Sequence, residues 1–309
     1  MKKTVAISMG DLNGIGIELS LRCHNEVKNI ITPIYCINRN MLEDASRLLN
    51  IPIPDDFKIT PPEAKDFKIE PAMITKESGK YSYQSFVKAV ELAKNREVDA
   101  IVTLPIHKKA WELAGVKYKG HTDALRDFFK TDAIMMLGCE KMFVALYTEH
   151  IPLKDISLYI DVDKLVIFLV DFYMNIESKL KKDEIIALLA LNPHAGDYGV
   201  LGNEEEIIME ARDKAHKIIG RDVYSLPLVP DVAFTPRVRE KYKYFVAMYH
   251  DQGLAPLKAL YFDEGINVSL NLPIIRTSVD HGTAFDIAYK SITSINKKSY
   301  LNAIKYITK

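Results

Sequence analysis

The chain has 309 residues, and its 41 Lys+Arg balance 41 Asp+Glu, so the formal net charge is zero. That balance excludes the basic excess with which nucleic-acid binders displace phosphate counterions. With 48% hydrophobic residues the chain can fill a core, which excludes overall disorder, and its length fits two lobes or one large α/β unit.

The N-terminus opens with Lys2-Lys3 and an apolar run, as a signal peptide does. It then meets Asp11 and Asn13 before a full apolar stretch has formed, so it is expected to be a first strand over residues 4–8. A second strand is expected at 34–37. The polar stretch 53–80, with Pro54, Pro61, Pro62 and Pro71, reads as a surface connection holding at most one short strand. A helix follows at 81–94, where Phe86, Val90 and Ala93 recur at i, i+4, i+7 on one face. Next come a strand at 100–103, a helix at 122–129 and strands at 134–137 and 142–147. A helix at 164–178, a strand at 185–191 and a helix at 204–218 follow. The series closes with strands at 244–249 and 267–270 and a helix at 283–289. This alternation predicts an α/β architecture with largely parallel strands.

The longest apolar runs, such as 185–191, are about a third of the ~20 residues that a spanning helix needs. Cys23, Cys36 and Cys139 are odd in number and form no CxxC pair, which fits a reducing compartment. The expectation is a soluble, cytoplasmic protein with neither a membrane nor a nucleic acid as partner.

Open α/β sheets bind ligands beyond the carboxyl ends of their strands. Three expected strands end near a histidine: 142–147 before His150, 185–191 before His194 and 244–249 before His250. These histidines are 44 and 56 residues apart, too far for a local helical motif. Three neutral imidazoles in equivalent positions would suit a divalent metal with open positions for substrate. The spacing equally allows each one to bond only its own loop.

Gly10-Asp11-Leu12-Asn13-Gly14-Ile15-Gly16 follows the first strand. Leu19 stands where a dinucleotide fingerprint needs glycine, and a P-loop lysine is missing, so a tight strand-to-helix turn is the simpler reading. Gly120-His121-Thr122 opens a helix, with Thr122 either an N-cap or part of an anion site. Lys258, Asn267 and Arg276 are the residue types that a phosphorylated or carboxylated substrate requires, and equally those of a solvated surface. Asp231 is a lone acid in an apolar setting, either a general base or a turn cap. The segment 273–286 is expected to be a loop, with His281 and Gly282 at a turn. It either packs against a nucleotide base, with Asp286 reaching a ribose, or only closes the fold.

The runs Asn192-Pro193-His194-Ala195-Gly196, Met248-Tyr249-His250-Asp251-Gln252-Gly253 and Arg276-Thr277-Ser278-Val279-Asp280-His281-Gly282-Thr283-Ala284 resemble the 4-hydroxythreonine-4-phosphate dehydrogenases. Gly120-His121-Thr122 and Gly10-Asp11…Gly14-Ile15-Gly16 match the same family. The matches run in order from residue 10 to about 288. The resemblance implies an isocitrate/isopropylmalate-dehydrogenase-like fold of two α/β/α lobes with an active-site cleft between them. The first lobe would comprise 1–125 and about 275–309, the second about 126–274, carrying metal ligands and dimer contacts.

It further implies a homodimer with the active site at the subunit interface, and a divalent ion (Zn, Mg or Co) on His150, His194 and His250. In that arrangement His150 and His194 of one chain meet His250 of the other. Substrate contacts would be His121, Thr122, Lys258, Asn267 and Arg276. The implied reaction is oxidation of 4-phosphooxy-L-threonine by NAD or NADP, then decarboxylation to 3-amino-2-oxopropyl phosphate in pyridoxal phosphate synthesis. Asp231 and Lys108 are the candidate proton acceptors; His281, Gly282 and Asp286 are the candidate cofactor residues. Relatives acting on threonate or erythronate 4-phosphate, and phosphate acyltransferases of the same fold, are the alternatives. The chain departs from the family pattern at Leu12, Asn13, Ile17 and Leu104. It departs again in Asp197-Tyr198-Gly199-Val200-Leu201-Gly202, which is bulkier than the usual glycine-rich loop.

Overall fold

The structure, a computed structural model, describes residues 1–290 and 295–309. Along the chain β1 (Thr4–Ser8) leads into α1 (Gly16–Ile30), then β2 (Thr32–Cys36), α2 (Arg39–Leu49) and the two-residue β3 (Ile59–Thr60). The turn after β1 needs glycine at position 10: φ is +65°, and a Cβ there would lie 2.2 Å from the Pro105 carbonyl oxygen. α3 (Lys76–Lys94) starts where the Thr75 hydroxyl accepts the Ser78 N–H at 3.2 Å. β4 (Ala100–Thr103), α4 (Lys108–Leu113) and α5 (His121–Phe129) follow.

A hairpin of β5 (Ile134–Cys139) and β6 (Met142–Leu146) comes next, then α6 (Val162–Ile176), capped by Asp161. β7 (Ala187–Leu188) and α7 (Glu204–Ile219) follow. α7 has three glutamates in its first turn, where the helix dipole favours them, and Gly220 at φ +82° ends it. The four-residue turns α8 (Pro230–Ala233) and α9 (Pro236–Arg239) precede β8 (Tyr244–Ala247) and α10 (His250–Tyr261). β9 (Ile266–Leu270), β10 (Ile275–Val279) and α11 (Lys298–Ile307) complete the order.

The residues fall into two compact units, Met1–Thr131 with Ile266–Lys309 and Asp132–Gly265. The divisions at 131/132 and 265/266 replace the expected 125/126 and 274/275. α5 and β9 therefore belong whole to the first unit, because β9 pairs with β10 residue for residue.

In the first unit the strands run β3-β2-β1-β4-β10-β9, all parallel except β9 against β10. The carboxyl ends of β1, β4 and β10 thus share one edge. One face packs Phe86, Val90 and Ala93 of α3 with Trp111 of α4, and the Trp111 indole N–H donates to the Ser82 hydroxyl at 2.8 Å. In the second unit the order is β5-β6-β8-β7, with β6, β8 and β7 parallel, so their carboxyl ends also share an edge. Val144, Leu146, Phe245, Ala247, Leu254 and Leu257 belong to its core.

Three expectations are corrected. The expected helix at 283–289 is a run of turns, with Ala284 and Tyr289 at positive φ. Residues 275–279, expected as loop, form β10; burial between two neighbouring strands outweighs their weak local pattern. The apolar run 185–191 yields only a two-residue strand, flanked by single bridges from Ile186 to Tyr224 and Leu189 to Leu228.

Candidate active site

The first unit buries a guanidinium among neutral groups. Arg276 is 2% exposed. Its β10 position sits opposite Ile101 of β4 and Ser269 of β9, and side chains two residues apart share a sheet face. Register alone therefore brings it Thr103, Ser269 and Asn267. The Thr103 hydroxyl accepts from Nε at 3.2 Å and Nη2 at 2.7 Å, while Nη1 donates to Ser269 at 3.0 Å and Asn267 at 3.3 Å. Among the described residues no carboxylate pairs with it, and burial pushes its pKa down to about 9, so it stays charged at neutral pH. A buried cation held only by dipoles is stabilised further by an anion.

His121 opens α5 beside this group. Its ring stands edge-on to Trp111 at 5.4 Å and lies 4.8 Å from Phe86. Nε2 is buried without a hydrogen-bond partner. Burial, then the Arg276 charge, holds the imidazole well below its ordinary pKa, so it is neutral. Thr122 beside it is buried. Lys108 runs its stem over this helix start: its Cε lies 4.0 Å from where a Cβ on Gly120 would stand.

The turn after β10 closes over the turn after β1. The Thr283 carbonyl accepts the Ile15 N–H at 3.1 Å, and the Tyr289 hydroxyl donates to the Leu12 carbonyl at 2.7 Å. A Cβ on Gly14 would meet the Thr283 carbonyl oxygen at 2.7 Å. His281 Nδ1 lies 3.0 Å from the Gly282 carbonyl, its Nε2 is buried without a partner, and burial lowers its pKa. Gly282 and Asp286 are exposed. His107 stacks on Phe285 at 5.2 Å, and its Nδ1 is also buried without a partner.

In the second unit the rings of His150 and His250 lie 5.8 Å apart at the shared carboxyl edge. His250 opens α10, and its Nδ1 lies 2.7 Å from the Asp251 carboxylate. That contact fixes the ring and leaves Nε2 as its outward-facing nitrogen. His194 does not join them. It is exposed, on a run of left-handed backbone, and among the described residues no three His, Cys, Asp or Glu side chains gather to hold a metal. Within one chain His150 and His250 are the neighbouring pair of rings. Lys258 is half-buried two turns beyond His250 on α10. Asp231 is exposed in the first turn of α8.

The sequence profile of the pyridoxal phosphate biosynthetic protein PdxA matches residues 29–307. The chain belongs to the PdxA family. A 4-hydroxythreonine-4-phosphate dehydrogenase of Sulfurimonas denitrificans is 59% identical over 98% of this chain and 96% of its own length. One of Campylobacter fetus is 51% identical over 99% and 97%. The crystal structure of a 4-hydroxythreonine-4-phosphate dehydrogenase from Klebsiella pneumoniae superposes with a TM-score of 0.83 at 30% identity, covering 100% of this chain and 98% of that one. PdxA membership places the chain among α/β oxidoreductases of pyridoxal phosphate biosynthesis. Among the described residues no helix is long and apolar enough to cross a membrane. The cysteines are free and buried.

Sequence reasoning on this PdxA chain missed Thr103, Ser269, His107 and Asp11. Asp11 is fully buried: its carboxylate accepts the Asn13 N–H at 3.0 Å and the Ser78 hydroxyl at 3.1 Å, and burial pushes its pKa up to about 6. The signal for Asp11 was its place between Gly10 and Gly14. Thr103 and Ser269 carried none, since strand register alone makes them neighbours of Arg276.

Proposed function

We propose that the chain oxidises 4-phosphooxy-L-threonine with NAD or NADP, and that the resulting β-keto acid loses carbon dioxide to give 3-amino-2-oxopropyl phosphate. The observation that carries this reading is Arg276, a charged guanidinium buried on Thr103, Ser269 and Asn267 with no carboxylate beside it among the described residues. The substrate has two anionic ends, and one of them completes that site.

Arg276 and Asn267 bind the anionic end, and the fixed fork orients it. Thr122 and the neutral Nε2 of His121 hold the adjoining polar atoms from the start of α5. Lys258 binds the second anionic end. Lys108, over Gly120, receives the hydroxyl proton when it is the neutral amine, and Asp231, exposed on α8, is the alternative acceptor as its carboxylate. His281, Gly282 and Asp286 hold the cofactor, where the buried Nε2 of His281 takes a hydrogen bond. A bound nicotinamide supplies the hydride acceptor.

The donor set fits a divalent ion held by His150 and His250 of one chain and His194 of a second, in a cytoplasmic homodimer. Imidazole nitrogen favours zinc or cobalt over magnesium, which prefers oxygen. Such an ion, when bound, lowers the pKa of the substrate hydroxyl and polarises the ketone.

The test supplies the purified protein with 4-phosphooxy-L-threonine and NAD or NADP and follows reduced nicotinamide, with and without chelator. Turnover that chelation abolishes is expected. Preference for threonate or erythronate 4-phosphate would move the assignment to that substrate. Acyl transfer without nicotinamide reduction would overturn it.

A further inference from the structure

The turn after β10 is tied to the turn after β1 at Thr283 and again at Tyr289. The first tie is backbone: the Ile15 N–H donates to the Thr283 carbonyl at 3.1 Å. The second is a side chain: the Tyr289 hydroxyl donates to the Leu12 carbonyl at 2.7 Å. Burial, then the charges of Asp11 and Glu18, push the Tyr289 pKa up, so the hydroxyl keeps the proton it donates. The receiving turn is itself held on both sides. The Asp11 carboxylate accepts the Asn13 N–H at 3.0 Å, and the buried Asn13 side chain accepts the Glu70 N–H at 2.9 Å and donates to the Met73 carbonyl at 2.8 Å.

Tyr289 stands on left-handed backbone, φ +59°, where a bulky side chain is sterically disfavoured, and Ala284 is left-handed as well, φ +46°. Between them the N–H groups of Ile287 and Ala288 donate to the Ala284 carbonyl at 3.1 and 3.0 Å, closing a single turn that carries the exposed Asp286. Phe285 in this turn stacks on His107 at 5.2 Å. Such a backbone outlier persists only where its surroundings over-determine it, and here the hydroxyl bond to Leu12 does so.

The turn follows an open acceptor. His281 Nδ1 faces the Gly282 carbonyl at 3.0 Å, so in the neutral ring Nδ1 carries the hydrogen. Nε2 is then a bare lone pair, buried without a partner among the described residues. A hydroxyl or amide N–H of a dinucleotide satisfies it. We infer that Tyr289 is a positioning residue for the nicotinamide cofactor: its bond to Leu12 holds the turn 284–288, and with it His281 and Asp286, in the form that receives the dinucleotide. This rests on the cofactor reading proposed above. Without the bond the turn leaves its left-handed backbone, and the cofactor must reorder it on binding. Affinity then falls although no contact with the ligand has been removed.

The test titrates the full chain with NADH or NADPH, read by nicotinamide fluorescence without substrate, for wild type, Tyr289→Phe, Tyr289→Gly and Asp286→Ala. Tyr289→Phe keeps the ring and loses the hydroxyl, so its cofactor Kd should rise roughly fivefold or more. Tyr289→Gly also relieves the backbone, yet should bind no tighter than Tyr289→Phe. With cofactor saturating, KM for 4-phosphooxy-L-threonine in Tyr289→Phe should stay within about twofold of wild type. Amide exchange over residues 281–289 should quicken in free Tyr289→Phe and return to the wild-type rate once cofactor is bound. A Kd raised in Asp286→Ala but unchanged in Tyr289→Phe overturns the tie and leaves the cofactor site standing. A Kd unchanged in both, or a wild type that binds no reduced nicotinamide, overturns the cofactor reading itself. Equal rises in cofactor Kd and substrate KM in Tyr289→Phe would assign Tyr289 to the fold at large and overturn its positioning role.

Discussion

The Thr103 hydroxyl accepts from two nitrogens of Arg276, Nε at 3.2 Å and Nη2 at 2.7 Å, across a pair of neighbouring parallel strands. One small side chain on β4 thereby fixes the plane of the buried guanidinium on β10.

Thr103→Val keeps the shape and removes that acceptor. Two N–H groups of a buried cation lose their partner, which should cost about 1–3 kcal/mol of stability in denaturant unfolding. Arg276→Lys keeps the charge and loses the fork. It should lower kcat/KM by roughly thirtyfold, equivalent to about 2 kcal/mol. Unchanged kinetics in both variants would remove Arg276 from the substrate site.

Mixed dimers test how the histidines are shared. His194→Ala and His250→Ala proteins should each be inactive. Unfolded and refolded as an equal mixture, about half the dimers are mixed, and each mixed dimer rebuilds one intact site, so about a quarter of wild-type activity should return. The same experiment with His150→Ala and His250→Ala should return nothing, because those rings pair within one chain at 5.8 Å. Rescue by the second pair, with mixed dimers verified by mass-tagged subunits, would show His250 crossing the interface instead.

Asp11 makes stability depend on pH in the acid range. Burial raises its folded pKa to about 6, above the unfolded 3.8. Between those values the folded state binds more protons, so this contribution falls as pH rises from about 4 to 6 and is flat beyond. Asp11→Asn can still accept from Asn13 and donate to Ser78 without a buried charge. Relative to wild type, the variant should gain roughly 2 kcal/mol on going from pH 4 to pH 7.5. Parallel stability curves for the two proteins would refute this.

His216 works in the opposite sense. Its Nε2 accepts the N–H groups of Val223 and Tyr224 at 3.2 and 3.0 Å, so Nδ1 carries the proton donated to Asp222 at 2.9 Å. Burial first, then Arg212, lowers its pKa below the ordinary 6.5. Its stabilisation is present above about pH 6.5 and is lost on acidification, when Nε2 takes a proton and can no longer accept. The difference in thermal midpoint between wild type and His216→Ala should therefore shrink from pH 7.5 to pH 5. A constant difference would assign His216 to packing alone.

The sequence by itself determined the features that local chemistry writes into neighbouring residues. β1 and β4 fall where alternating apolar runs place them, and the Phe86, Val90, Ala93 face of α3 follows from helical spacing. The motifs around His150, His194 and His250 were legible because each follows an apolar run and its turn residues. Only tertiary structure decided which of them meet. His150 and His250 are brought together by the parallel pairing of β6 with β8, while His194 follows a run that forms just two residues of strand. The same holds for Arg276, whose partner Thr103 lies 173 residues away in the chain. Spacing and propensity act over a few residues, whereas strand register is fixed by which faces are buried together, and a slip of one residue would turn Arg276 out of its site.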